Sequence, residues 1–292
     1  MNAIYSYKYT PFGGKWFDKN LVNISRLSVI HANKFYNTIL YCDKHIKEII
    51  ESHNIPFNKI VVLDEIENYK GMVYSIPKIY AMMYQSEPYI HLDFDTVVLH
   101  KLPLNSTITF AYPEVQLKPN VTPDQLNYLN NTYFNIFKKY HQSISESYNW
   151  DFGIIPNNSV LAVKIPNIVK TIYSEILDFM GEDLVNNMNP QLGLAQYIEQ
   201  FSLYRKLNES RIDSNFIYDE CNFMFNPSMD SIYNNRTHYT KETINLDIVK
   251  SNYFIHFANY NDSIDLLNSI LLKMYRDLNI ESEFIDYEVN KL

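Results

Sequence analysis

Cysteine is nearly missing: 292 residues contain two, Cys42 and Cys221, with no CxxC spacing. That excludes a disulfide-framed scaffold and a cysteine-rich zinc module, and it fits a reducing compartment. Basic charge is also short. Lys and Arg number 25 against 33 Asp and Glu, a formal net charge of −8. A sequence-independent grip on nucleic acid needs basic surface, so no nucleic-acid partner is expected. Glycine occurs only 6 times, and the pair Gly13-Gly14 is too poor for a glycine-rich phosphate loop. No apolar run is long enough to span a bilayer and neither end reads as a signal peptide, so a cytoplasmic location without a transmembrane segment is expected.

What is abundant is aromatic and apolar: 25 Tyr, 17 Phe and 46% hydrophobic residues, enough for a substantial core. The first half alternates strand and helix patterns. Ala3 to Tyr7 reads as a strand ending in the turn-rich loop Thr10 to Gly14. Leu21 to Phe35 has helical spacing, Thr38 to Cys42 is a strand, and Asp43 suits the N-cap of a helix from Lys44 to Ser52. Asn58 to Leu63 is a third strand, followed by an acidic loop at Asp64 to Glu67. This β-α-β-α-β order implies a parallel sheet with helices on its faces. Ser75-Ile76-Pro77 leads into a helix from Lys78 to Gln85, with proline in the first turn. Beyond residue 112 the pattern predicts helices over 124–140, 165–180, 191–207 and 264–278. Strands are predicted at Val160 to Val163 and at Tyr253 to Ala258.

Tyr89 to Leu99 stands out. It reads as a buried strand that meets Asp93 and Asp95 and then resumes through Val97, Val98 and Leu99. In extended backbone, residues i and i+2 project to the same side, so two carboxylates would repel unless a cation or donors lay between them. A hard divalent ion with oxygen ligands suits that place, and a polar turn closing a strand is the plainer reading. The first strand ends at the sheet edge where open α/β folds bind nucleotides. Tyr7, Tyr9 and Phe12 there either stack on a base or pack over the edge. Lys78, in the first turn of its helix, is either a phosphate contact or an ordinary surface lysine.

Three stretches carry a family resemblance: Ser75-Ile76-Pro77-Lys78-Ile79-Tyr80-Ala81-Met82, Tyr89 to Asp95 with its Asp-x-Asp, and Leu102-Pro103. Together with Trp150-Asp151-Phe152-Gly153-Ile154 and Ala195 to Gln200, they resemble small GT-A glycosyltransferases with a DXD sugar-binding region. The resemblance implies one domain over residues 1–292, a Rossmann-like mixed sheet flanked by helices. Its donor half would cover about 1–112 and its acceptor half about 113–292. It implies Mn²⁺ or Mg²⁺ as cofactor, with Asp95 as direct ligand, Asp93 reaching ribose and metal, and His256 as a third ligand. Many relatives end in His-x-x-Gly-x-x-Lys. Here His256 stays, while Asn259 and Asp262 replace the other two, which leaves Lys78 to face the diphosphate.

The activity so implied is transfer of a sugar from a nucleotide diphosphate, expected to be UDP-linked, to an acceptor hydroxyl on a glycan or other molecule. Retention is the expected stereochemistry. An inverting enzyme would need a carboxylate base, for which Asp151 and Glu199 are the candidates. A homo-oligomer is compatible with all of this. Two other readings use the same fold: a non-catalytic sugar-nucleotide or glycan-binding protein, and a nucleotidyltransferase, which normally carries the phosphate loop missing here.

Overall fold

The computed structural model describes residues 1–9, 19–71, 73–116, 154–181, 197–218 and 253–256. Nine strands lie among them, β1 (Asn2–Tyr7), β2 (Asn37–Cys42), β3 (Lys59–Val62), β4 (Tyr89–Leu92), β5 (Thr96–Val98), β6 (Ile108–Gln116), β7 (Ile154–Val163), β8 (Ser214–Phe216) and β9 (Phe254–His256). The α-helices are α1 (Lys19–Ala32), α2 (Lys44–Ser52), α3 (Asp64–Asn68), α4 (Ser75–Met83), α5 (Pro166–Met180) and α6 (Ser202–Glu209). A π-helical turn, Tyr197–Phe201, leads into α6. None of the described helices is long and apolar enough to cross a membrane.

The main sheet is mixed, in the order β3-β2-β1-β4-β7-β6-β8. β3, β2, β1 and β4 run parallel, β7 is antiparallel to both β4 and β6, and β8 is parallel to β6. Strand alternation sorts the core into two layers. Ala3, Tyr5, Leu40, Cys42, Ile90 and Leu92 pack against α1 and α2. Ile4, Ile39, Tyr41 and Tyr89 face α3, α4, α5 and α6. The parallel half sits as its β-α-β-α-β pattern requires. Asp43 caps α2 through a 2.8 Å bond from the Ile46 amide, and Ile46 and Ile50, one turn apart, bury that helix. Pro166 opens α5, and Gly181 closes it at φ 71°, a backbone region that side chains resist.

Three expectations are corrected. Asp64 to Glu67 is not loop but the start of α3, because the Glu67 amide bonds the Leu63 carbonyl and Ile66 is drawn fully into the core. The helix expected from Lys78 begins at Ser75, which puts Lys78 one residue after Pro77 and buries it. Residues 89–99 do not form one strand. β4, paired with β1 and β7, ends at Leu92, and there the chain turns out of the main sheet. β5 then pairs antiparallel with β9 in a separate two-stranded sheet, packed under α1. Of the helix expected over 191–207, residues 197–207 are described and are helical, as the π-turn followed by α6. Residues 10–14, 124–140, 150–153, 221, 259, 262 and 264–278, on which other expectations fall, lie outside the described residues.

Candidate functional site

The Asp93-Phe94-Asp95 segment is a tight turn, not the extended backbone that the i, i+2 argument assumed. The Asp93 amide extends the β4–β7 ladder by one step, bonding the Ser159 carbonyl at 2.9 Å. The Thr96 amide then bonds back to the Asp93 carbonyl at 3.1 Å. Phe94 anchors the turn. Its buried ring meets Tyr5 and Tyr7 at centroid distances of 5.5 and 5.4 Å. Its two neighbours stay partly in solvent, with side chains 34% (Asp93) and 24% (Asp95) exposed. The carboxylates feel each other's charge, yet each meets a different partner.

Asp93 is held from beneath by Lys78. The ammonium donates to Asp93 Oδ1 at 2.7 Å and to the Asn158 carbonyl at 2.9 Å, and it pairs in charge with Glu199 Oε1 at 2.5 Å. An ammonium has three N–H donors, and three acceptors from three elements meet it here. Lys78 and Glu199 are 8% and 3% exposed, so this pair is an interior one. Burial works against the lysine's charge, but Asp93 and then Glu199 outweigh it and hold its pKa above the usual lysine range. Burial, with the Asp95 charge adding to it, raises the Asp93 carboxyl against the pull of Lys78. Solvent at the exposed third of that side chain moderates the effect.

Two features supply the acceptors. At the β6–β7 irregularity, Phe110 pairs with Leu161 but Tyr112 with Asn157, so β7 carries extra residues there. Such a bulge redirects backbone groups, and here the Asn158 carbonyl reaches the lysine. The π-turn places Glu199, whose own carbonyl accepts from Tyr173 Oη at 2.8 Å and Asn158 Nδ2 at 3.2 Å. Helix irregularities of this kind are frequent at functional sites.

Asp95 lies on the other side, beside His256. The β5–β9 register sets Thr96 opposite His256, which brings His256 Nε2 to 3.5 Å from Asp95 Oδ1. Burial opposes ionisation of Asp95, but His256 more than offsets it and the carboxyl lies below its usual range. The other ring nitrogen, Nδ1, is 2.6 Å from the Tyr112 hydroxyl. Among the described residues, no group of three or more His, Cys, Asp and Glu side chains is gathered to hold a metal ion. Asp95 and His256 form a two-donor set, carboxylate and imidazole, that suits Mn²⁺ with waters or phosphate oxygens completing its shell. Asp93 would contribute through the oxygen that Lys78 does not hold.

The remaining sequence candidates fall as follows. Tyr7 packs edge-on against Phe94, and Tyr9 lies 4.0 Å from the His45 ring while its amide bonds Asp43. Both stand at the carboxyl end of β1, near the turn. Asp151 is outside the described residues. His91 bonds Ser6 at 2.9 Å and is 3.7 Å from Asp93. That last distance is too long for the hydrogen bond of a nucleophile triad. Burial, then the Lys78 charge, holds the His91 pKa far below the usual value. Sequence reasoning missed Asn158, Phe94 and the Tyr112–His256 bond. The polar run Asn157-Asn158-Ser159 ahead of apolar Val160 was the available sign of a bulge.

The chain belongs to a family described as a family of unknown function (DUF6734), whose profile matches residues 8–278. None of the curated proteins compared with it matches in sequence. Among solved structures it is similar to mouse xyloside xylosyltransferase 1 in its apo form. Identity there is 9%, the match covers 88% of this chain and 97% of that one, and the TM-score is 0.45. It is similar to the glycosyltransferase GlyE of Streptococcus pneumoniae TIGR4 at 11% identity, 89% and 55% coverage and TM-score 0.41, so the match spans about half of GlyE. It is also similar to PaToxG glycosyltransferase at 15% identity, 71% and 68% coverage and TM-score 0.36.

Proposed function

We propose that this member of the DUF6734 family is a metal-dependent GT-A glycosyltransferase that moves a sugar from a nucleotide diphosphate, UDP-linked, to an acceptor hydroxyl. The observation that carries the reading is the double support of one turn. Asp93 is held by the buried Lys78–Glu199 pair, and Asp95 is held beside His256 by a second small sheet. Two partly exposed carboxylates set on rigid elements at the carboxyl end of a central strand make a preorganised anionic rim. Such a rim is costly to a fold and suits capture of a cation with its phosphates.

Asp95 and His256 would hold Mn²⁺, and Asp93 would share it and orient ribose hydroxyls. When bound, the ion supplies Lewis-acid neutralisation of the departing diphosphate. Lys78, with three protein acceptors, serves in this reading to fix Asp93 and not to reach the phosphates. Glu199 serves as its counter-charge, and the reaction proceeds in this reading with retention, the departing phosphate taking the acceptor proton. Tyr7 and Tyr9, at the carboxyl end of β1, would stack on the base.

The reading is tested by a thermal-shift screen of nucleotide sugars with and without Mn²⁺. A specific donor at about 100 times its Kd adds roughly 2.7 kcal/mol to apparent stability. One donor family should shift the wild type only when Mn²⁺ is present, and Asp95→Asn should abolish the shift. Failure of every donor, with or without the ion, would count against the assignment.

A further inference from the structure

Tyr112 is fully buried, and its hydroxyl meets Nδ1 of His256 while the opposite nitrogen faces Asp95. Its presence there breaks the strand pattern. Ile108 and Phe110 point into the core layer that faces α4 and α5, so regular alternation would send residue 112 the same way. Tyr112 instead lies in the opposite layer, with Val97, Val98, Phe254 and Ile255 of the β5–β9 sheet. The irregularity between Phe110 and Tyr112 makes that switch, and Tyr112 stacks on Phe254 at 6.5 Å and 15°. A buried bulge that re-aims one tyrosine onto one imidazole is a built contact.

The chemistry of that contact is particular. A neutral imidazole carries its proton on one nitrogen only, and a phenolic hydroxyl can donate or accept. With the proton on Nε2, the ring donates toward Asp95 and Nδ1 accepts from Tyr112. With the proton on Nδ1, the ring donates to Tyr112 and its Nε2 lone pair is open to a cation beside Asp95. A hydroxyl supports both forms by rotating, whereas a phenyl ring supports neither.

We propose that Tyr112 is a positioning residue that aims His256 Nε2 at the Asp95 carboxylate and stabilises either tautomer of the ring, so that His256 can give its lone pair to a divalent cation held with Asp95. The proposal rests on the reading of Asp95 and His256 as cation ligands. Partners of metal-bound histidines typically alter affinity 10- to 100-fold when removed.

The test uses the full chain and Mn²⁺ alone, with free ion measured by electron paramagnetic resonance, on wild type, Asp95→Asn and Tyr112→Phe. A second readout is the ring-nitrogen NMR spectrum of His256, assigned with His256→Gln, with and without Zn²⁺ as a diamagnetic probe. Wild type should bind Mn²⁺, Asp95→Asn should lose it, and Tyr112→Phe should bind at least about 10-fold more weakly while remaining folded. The wild-type ring should change from the Nε2–H to the Nδ1–H form on adding Zn²⁺, and the phenylalanine variant, with no hydroxyl to accept an Nδ1 proton, should stay Nε2–H without metal and need more Zn²⁺ to change. Equal Mn²⁺ affinity of Tyr112→Phe and wild type, or a tautomer change in the variant at the same Zn²⁺ concentration as in wild type, overturns the role of Tyr112 alone. No Mn²⁺ binding by wild type, or binding untouched by Asp95→Asn, overturns the cation site and this role with it.

Discussion

Replacing Lys78 with methionine keeps most of the side chain's length as far as Cε and removes its charge and three donors. Three contacts go: Asp93 Oδ1, Glu199 Oε1 and the Asn158 carbonyl. The losses are unequal. Asp93 can turn to the solvent it already meets, so its share is small. Glu199, 3% exposed, loses the lysine that balances its charge in the interior. Breaking a buried pair from one side costs about 3–5 kcal/mol. In a chain of this size, with roughly 2 °C per kcal/mol, Tm should fall by about 6–10 °C. Replacing both partners, Lys78→Met with Glu199→Leu, should recover most of that, because an apolar pair of similar volume carries no stranded charge. Urea unfolding of the wild type, both single variants and the double variant closes the cycle. A loss below about 1 kcal/mol for Lys78→Met, or no recovery in the double variant, would refute the description of Lys78 and Glu199 as one interior pair.

Two further expectations follow from buried groups away from the turn. His31 in α1 has its pKa lowered to about 4, chiefly by burial and also by the Lys34 charge. The unfolded chain binds that proton near pH 6.5, so stability is full above 6.5, falls as pH drops toward 4 and levels below it. The total is about 3 kcal/mol. His31→Phe should flatten that limb in urea titrations between pH 4 and 6.5, and an unchanged limb would contradict it. Cys42 is buried, and burial, then the nearby carboxylates led by Asp43, pushes its thiol up to about 12. In a Cys221→Ser background it should resist a thiol reagent at pH 8 until urea unfolds the chain, and rapid labelling of the native protein would show that β2 is open there.

Much of the parallel half was legible in the sequence because its signals are local. Asp43 before an Ile46/Ile50 stripe gives a cap and a buried helix face, and the strands around it are continuous apolar runs. The Asp-x-Asp pair was legible as two neighbouring carboxylates and misjudged as backbone. Nothing within Tyr89 to Leu99 shows that its second half pairs with the distant β9 and not with the main sheet, with a turn at Asp93 between the two. The same limit hid the role of Lys78. Its acceptors come from the bulged β7 and the π-turn, neither of which has a simple period to read. Tyr112 defeated alternation outright, since the residue that strict period two sends into one layer is carried by the bulge into the other.

The central claim is that the Asp93–Asp95 turn serves a cation-dependent break of a sugar–phosphate bond. It is tested most directly by slow release of nucleoside diphosphate from a nucleotide sugar without added acceptor, with Mn²⁺ or with chelator, by wild type and Asp95→Asn. The account predicts release by wild type that needs Mn²⁺ and falls by at least about a hundredfold in the variant, the size of a lost electrostatic contact in a transition state. Release that survives the chelator, or that Asp95→Asn leaves unchanged, would contradict it.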